Sequence, residues 1–131
     1  MAISRVLLAD DDPLVRLAIR RALAGYREVE VVGEAATGLE AVSSVERLRP
    51  HIVIMDIRMP RMDGIAAARE IKEKYPGIQI IGLSEHAHGY HVDAMLKAGA
   101  LAVYLKSKTP EELYAAIKKV ISSQDNPEPS T

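Results

Sequence analysis

Ile52-Val53-Ile54-Met55-Asp56 holds four consecutive apolar residues, with no polar alternation, closed by an acid. A strand buried on both faces reads this way, as the central strands of parallel sheets do. The same unit recurs on either side of it. Downstream, a loop through Pro60 and Gly64 leads into a helical pattern carrying Ile65, Ala68 and Ile71, and Pro76-Gly77 makes a turn. Ile78 to Leu83 is a second apolar run, closed by Ser84. A weaker helix covers about Tyr90 to Ala98, with Gly99 past its end as a C-cap. Ala102 to Leu105 is the last strand, followed by Lys106. Thr109-Pro110-Glu111-Glu112 then opens a helix with a capping box, and Leu113, Ile117, Val120 and Ile121 form its buried stripe.

Upstream, Arg5 to Ala9 is a short apolar run ending in Asp10, Asp11 and Asp12. Asp12-Pro13 reads as a helix start, with an acidic N-cap and Pro at the first helical position. Val15, Ala18, Ile19, Ala22 and Leu23 follow helical spacing, and Gly25 marks the stop. Glu28 to Ala35 reads as a strand. Leu39, Val42, Val45 and Leu48 suggest a helix closed by Pro50. Five strand-helix units imply an α/β fold, a doubly wound five-stranded parallel sheet with helices on both faces. One domain is expected over residues 1–122. Residues 123–131 contain two Pro and no apolar residue and read as a disordered tail or linker stub.

Composition agrees with a single globular unit. The 131 residues are 48% hydrophobic and 27% charged, with a formal net charge of -1. Nothing marks a basic footprint for nucleic acid or a polybasic membrane patch, so the chain itself is expected to bind neither. There is no Cys, which excludes disulfides and thiolate metal sites, and no Trp or Phe, so the core is aliphatic. No apolar run reaches membrane-spanning length, and the start lacks a signal peptide's apolar stretch; a cytoplasmic domain is the expectation.

Acids, a hydroxyl and a Lys stand at the carboxyl ends of four strands: Asp10, Asp11 and Asp12 after the first, Asp56 on the third, Ser84 after the fourth, Lys106 after the fifth. In open α/β sheets that edge carries the functional crevice. Each residue alone has an ordinary reading in turn and cap chemistry, and Asp12 reads as a helix cap. All of them on one edge are harder to explain that way. Three neighbouring carboxylates repel one another, and burying them unpaired is costly. Mg²⁺ takes oxygen ligands and neutralises the charge that develops in phosphoryl transfer. Lys106 supplies a second positive point, Ser84 a hydroxyl donor, and Asp56 a nucleophile.

On these motifs the chain resembles the receiver domains of two-component response regulators, similar to the chemotaxis regulator and most of all to the NarL/FixJ (LuxR-type) group. Leu7-Leu8-Ala9-Asp10-Asp11-Asp12-Pro13-Leu14-Val15-Arg16 looks like that family's first strand and acidic turn. Ile52 through Gly64 looks like its phosphorylation loop. Leu83-Ser84 and Leu105-Lys106 fit its switch hydroxyl and its lysine. The resemblance implies a flavodoxin-like sheet of order 2-1-3-4-5. It implies a phosphoacceptor at Asp56 and Mg²⁺ bound by Asp11, Asp56 and the Arg58 carbonyl, with Asp10 acting through a metal-bound water. Ser84 and Lys106 would contact the phosphoryl group. The donor would be the phosphohistidine of a sensor histidine kinase. The output would be a population shift on the face of the fourth helix, fifth strand and fifth helix, where Tyr90, Tyr104 and Tyr114 are expected contacts. An output domain or effector protein and a phosphorylation-dependent homodimer are the further partners it implies. The family role is signal transduction, not enzymatic turnover.

The chain departs from the family pattern in places. The switch aromatic's position holds Val103, and Tyr104, one residue later, should point to the opposite sheet face. Ser107 follows Lys106 where many members have Pro. No helix-turn-helix follows, so the chain reads as a cut-out receiver, a single-domain regulator or part of a hybrid kinase. Two rival readings compete. One is a haloacid-dehalogenase-like phosphohydrolase using Asp10 and Asp12; the other is a flavodoxin-like binding module. His86, His88 and His91 have a spacing that zinc can use, against the plainer reading of a polar loop. By family position, Arg58 and His86 sit where side chains tune the life of the phosphoryl group.

Overall fold

A computed structural model describes residues 3–125. Ten elements alternate along the chain: β1 Ser4–Ala9, α1 Pro13–Leu23, β2 Val29–Ala35, α2 Gly38–Leu48, β3 Ile52–Asp56, α3 Gly64–Lys74, β4 Gln79–Ser84, α4 Tyr90–Lys97, β5 Ala102–Leu105 and α5 Pro110–Asp125. The strands form one parallel sheet in the order β2-β1-β3-β4-β5. This is the doubly wound architecture expected from the alternation, in the flavodoxin-like strand order that the family resemblance implied. Among the described residues no helix is long and apolar enough to cross a membrane.

Strand pleating divides the core into two layers. On β3, Val53 and Met55 face one way, into a cluster with Leu7, Ala9, Ala67, Ala68 and Ile71. Ile52 and Ile54 face the other way, against Val6, Leu8, Leu113 and Ile117. All of β3 is buried, Asp56 included. An uninterrupted apolar run therefore marks a strand with no solvent-facing side, and each of its side chains removes apolar surface from water on one layer or the other.

Polar residues outside the core set where the helices begin. The Asp12 side chain accepts from Leu14 N and caps α1, Thr37 caps α2 through Glu40 N, and Asp63 caps α3 through Ala66 N. At α5 the box is reciprocal: Glu112 N donates to Thr109 Oγ1 at 3.2 Å, and Thr109 N donates to Glu112 Oε2 at 3.3 Å.

Of three helix ends, two match the sequence reading and one differs. α1 ends at Leu23 with Ala24 as C-cap, and Gly25 follows directly, without taking the left-handed conformation. α2 ends on Arg49 in the left-handed region (φ 48°), one residue before Pro50, and that Pro cannot continue the helix. α5 continues to Asp125, three residues into the segment read as a tail; the rest of that segment lies outside the described residues. The described residues contain no cis peptide bond, so Lys106–Ser107 is trans.

Candidate functional site

The site lies where the sheet order reverses. β1 pairs with β3, and the chain leaves those two strands toward opposite faces, so their carboxyl ends open a crevice. Asp10 follows β1 and Asp56 ends β3. Ser84 ends β4, and Lys106 follows β5 with its N–H donating to Ser84 O at 2.8 Å. Four segments distant in sequence are brought together by strand register alone.

Asp10 and Asp56 are buried, at 1% and 5% exposure, while Asp11 is exposed. Lys106 Nζ sits 3.0 Å from Asp10 Oδ2 and 3.2 Å from Asp56 Oδ2, bridging the two. Asp10 Oδ1 accepts from Asp12 N at 2.9 Å. Asp10 Oδ2 is fully buried, and its contact with Lys106 lacks hydrogen-bond geometry, so that oxygen has an ion-pair partner and no hydrogen bond. Asp56 Oδ1 receives only a long contact from Arg58 N, at 3.3 Å. Burial, and then the Asp10 charge, push the Asp56 carboxyl up to about 6; Lys106 opposes them and does not win. The Lys106 ammonium is itself raised by the two carboxylates, against burial as the largest single effect.

Asp10, Asp11 and Asp56 each offer a carboxylate oxygen within 4.8 Å of the others, and among the described residues no other such group of potential metal ligands forms. One ammonium offsets one of three carboxylates, leaving two negative charges. An all-oxygen set with that residual charge and one buried, under-satisfied oxygen fits a hard divalent cation such as Mg²⁺. His86, His88 and His91 line the same cavity of about 490 Å³ as Asp11, Asp56, Ser84 and Lys106, and do not form a metal-binding group.

The chain belongs to the response regulator receiver domain family. The profile of that family matches residues 6–118. The chain is 44% identical over 109 residues to the uncharacterized transcriptional regulatory protein YhcZ of Bacillus subtilis, covering 83% of this chain and 51% of that protein. It is 35% identical over 116 residues to the transcriptional regulatory protein DegU of Brevibacillus brevis, covering 88% and 49%. It thus spans about half the length of these curated relatives. The signal receiver domain of the putative response regulator NarL from Mycobacterium tuberculosis superposes with a TM-score of 0.88 at 31% identity, covering 93% of this chain and 98% of that one. The NarL/FixJ likeness noted in the motifs is therefore the right subgroup.

Within this receiver domain, Asp10, Asp11, Asp56, Ser84 and Lys106 all reach one crevice, and Arg58 reaches it through its backbone. Ser84 Oγ currently closes a local turn, donating to His86 O at 2.8 Å and accepting from His86 N at 3.0 Å. Asp12 lines the same cavity without joining the acid cluster; its Oδ1 accepts from Leu14 N at 2.9 Å, as the cap of α1. Two of the expected contact tyrosines need correction. The Tyr104 hydroxyl donates to Glu112 O, and Tyr114 stacks on Tyr26 with ring centroids 3.4 Å apart, so both pack on the α1–α5 layer. Tyr90 alone of the three is widely exposed, at 80%. Val103 packs on the opposite layer, as strand alternation required. The sequence reading treated Gly64 only as a loop residue. A Cβ at Gly64 would stand 2.0 Å from the Asp56 carbonyl oxygen, so α3 can start against the candidate phosphoacceptor only with glycine there. A Gly on the far side of an Asp-ended strand was the available signal.

Proposed function

We propose that this receiver domain accepts a phosphoryl group on Asp56 from the phosphohistidine of a sensor histidine kinase, in a Mg²⁺-dependent transfer, as the regulatory part of a longer transcription regulator. The supporting observation is the Lys106 ammonium bridging buried Asp56 and Asp10, with Asp11 in the same cluster.

A carboxylate oxygen of Asp56 attacks phosphorus while the bond from phosphorus to the donor imidazole nitrogen breaks. The imidazole leaves with that electron pair and takes a proton from solvent, and Asp56 becomes an acyl phosphate. Lys106 turns its N–H donors toward the phosphoryl oxygens as negative charge gathers there. Asp11, Asp56 and the Arg58 carbonyl would hold Mg²⁺, with Asp10 acting through a water. When bound, the ion supplies neutralisation of phosphoryl charge. The Ser84 hydroxyl exchanges its bond to the His86 carbonyl for one to a phosphoryl oxygen. That exchange releases the β4–α4 turn and biases the α4–β5–α5 face between two populations. An output domain beyond this chain, or a second phosphorylated copy, would read that face.

The experiment is mass spectrometry after incubation with Mg²⁺ and a small phosphodonor. One phosphoryl adduct is expected on the native chain and none on Asp56→Asn. An adduct of the same yield on Asp56→Asn would falsify the assignment.

A further inference from the structure

We infer that Arg16 is a positioning residue for the acidic turn, holding Asp10 and Asp11 in the geometry that binds the divalent cation, and that Glu34 holds Arg16 for this task. The inference rests on the proposed Mg²⁺ site and deepens it.

Arg16 lies on the first turns of α1, with its side chain mostly buried at 17% exposure. Its Nη1 donates to the Asp10 carbonyl oxygen. Its Nε meets Glu34 Oε1 at 2.7 Å, and Arg20 Nε takes Glu34 Oε2 at 2.8 Å. Glu34 is on β2, whose next residue accepts the Asp10 amide: Asp10 N donates to Ala35 O at 3.0 Å. The Asp10 main chain is therefore gripped at both ends, its N–H by β2 and its C=O by a guanidinium anchored on β2.

That grip bears on the site because the Asp10–Asp11 peptide sets where both carboxylates point. Asp10 is further held by its own side-chain bonds and by burial. Asp11 is exposed, so its direction comes from the backbone of the turn and not from packing. The arrangement needs arginine. One flat fork must reach a carboxylate with one nitrogen and a carbonyl with another, which the single ammonium of lysine does not reproduce. The Arg16 hydrogen bond, ahead of Arg20, holds the Glu34 carboxyl below the usual carboxylate range, against an opposing effect of burial, so the anchor stays charged. Neither Arg16 nor Glu34 belongs to the cation-binding group itself. Groups one step behind metal ligands typically change metal affinity about 10- to 100-fold when removed.

The test is Mn²⁺ binding to the 131-residue chain, followed by the loss of the free-ion electron paramagnetic resonance signal, without any phosphodonor. Arg16→Ala is expected to weaken Mn²⁺ about 10-fold or more. Arg16→Lys should lose most of that affinity too, and it keeps the charge and the aliphatic stem should the alanine variant fold poorly. Arg20→Ala, which shares Glu34 but touches no part of the acidic turn, should stay within about twofold of the native chain. Native-like binding by Arg16→Ala or Arg16→Lys, alongside loss in Asp11→Asn, overturns the positioning role. Native-like binding by Asp11→Asn overturns the metal assignment, and this inference with it.

Discussion

Asp56 is held at a cost. Its carboxyl is raised from 3.8 to about 6 by burial first and the Asp10 charge second. The folded state thus keeps a proton between about pH 4 and pH 6 that the unfolded chain has already released, so stability falls as pH rises across that window. By pH 7 the full cost is present, on the order of 1 to 3 kcal/mol. Asp56→Asn removes it. In metal-free buffer we expect urea denaturation to show this variant more stable than the native chain at pH 7, with the difference closing by about pH 4. A gain that stays constant with pH would contradict this account. Gly64 is the other residue on which the site depends. In Gly64→Ala the new methyl would sit 2.0 Å from the Asp56 carbonyl oxygen, and that neighbour is backbone and cannot step aside. We expect a loss of about 2 kcal/mol or more in chemical denaturation, the scale of overpacking with backbone displacement. A loss under about 0.5 kcal/mol would mean that the β3–α3 loop can yield to the methyl, and would sink this account.

At the scale of elements, the β5–α5 connection links the site to the surface. It is bounded by Lys106 on the two buried acids and by the capping box that opens α5. Tyr104 adds a bond from β5 to Glu112 O in the first turn of that helix. Thr109→Ala removes a cap acceptor from Glu112 N and should cost about 1 kcal/mol. The check is a paired measurement. Global stability should drop by that amount, and amide hydrogen exchange should quicken in the first turn of α5 more than in α1 or α3. Faster exchange spread evenly over all helices would show that the cap stabilises the domain without fixing that end. The tyrosine placement bears on the readout as well. With Val103 on the α4 side of β5 and Tyr104 on the α5 side, no aromatic from β5 faces α4 to follow Ser84.

For the whole molecule, the fold brings two negative charges more than it neutralises into one crevice. A cation that binds there binds the folded chain and not the unfolded one, because the acids come from β1 and β3, more than forty positions apart. Saturating Mg²⁺, at about 100 times its dissociation constant, should add roughly 2.7 kcal/mol. We expect the thermal midpoint to rise by several degrees in millimolar Mg²⁺, to return with a chelator, and to respond much less in Asp11→Asn. An equal rise in that variant would place the ion elsewhere. Much of this molecule was legible in the order of its residues. The run Ile52 to Met55 requires a strand without a wet face, the alternation of such runs with helical patterns requires a parallel sheet, and Asp12, Thr109 and Glu112 announce helix starts, because these are local demands of burial and hydrogen bonding. The acids, the hydroxyl and the lysine could be placed on one edge of the sheet for the same reason. What no local rule contains is distance across the fold. Only the packed sheet sets Lys106 between Asp10 and Asp56, lays Tyr104 and Tyr114 partly buried against the α1–α5 layer, brings Gly64 against the Asp56 carbonyl, and reaches Arg16 back to Asp10 from an anchor on β2. Those contacts depend on strand register and helix packing between segments far apart in the chain, which the three-dimensional structure alone decides.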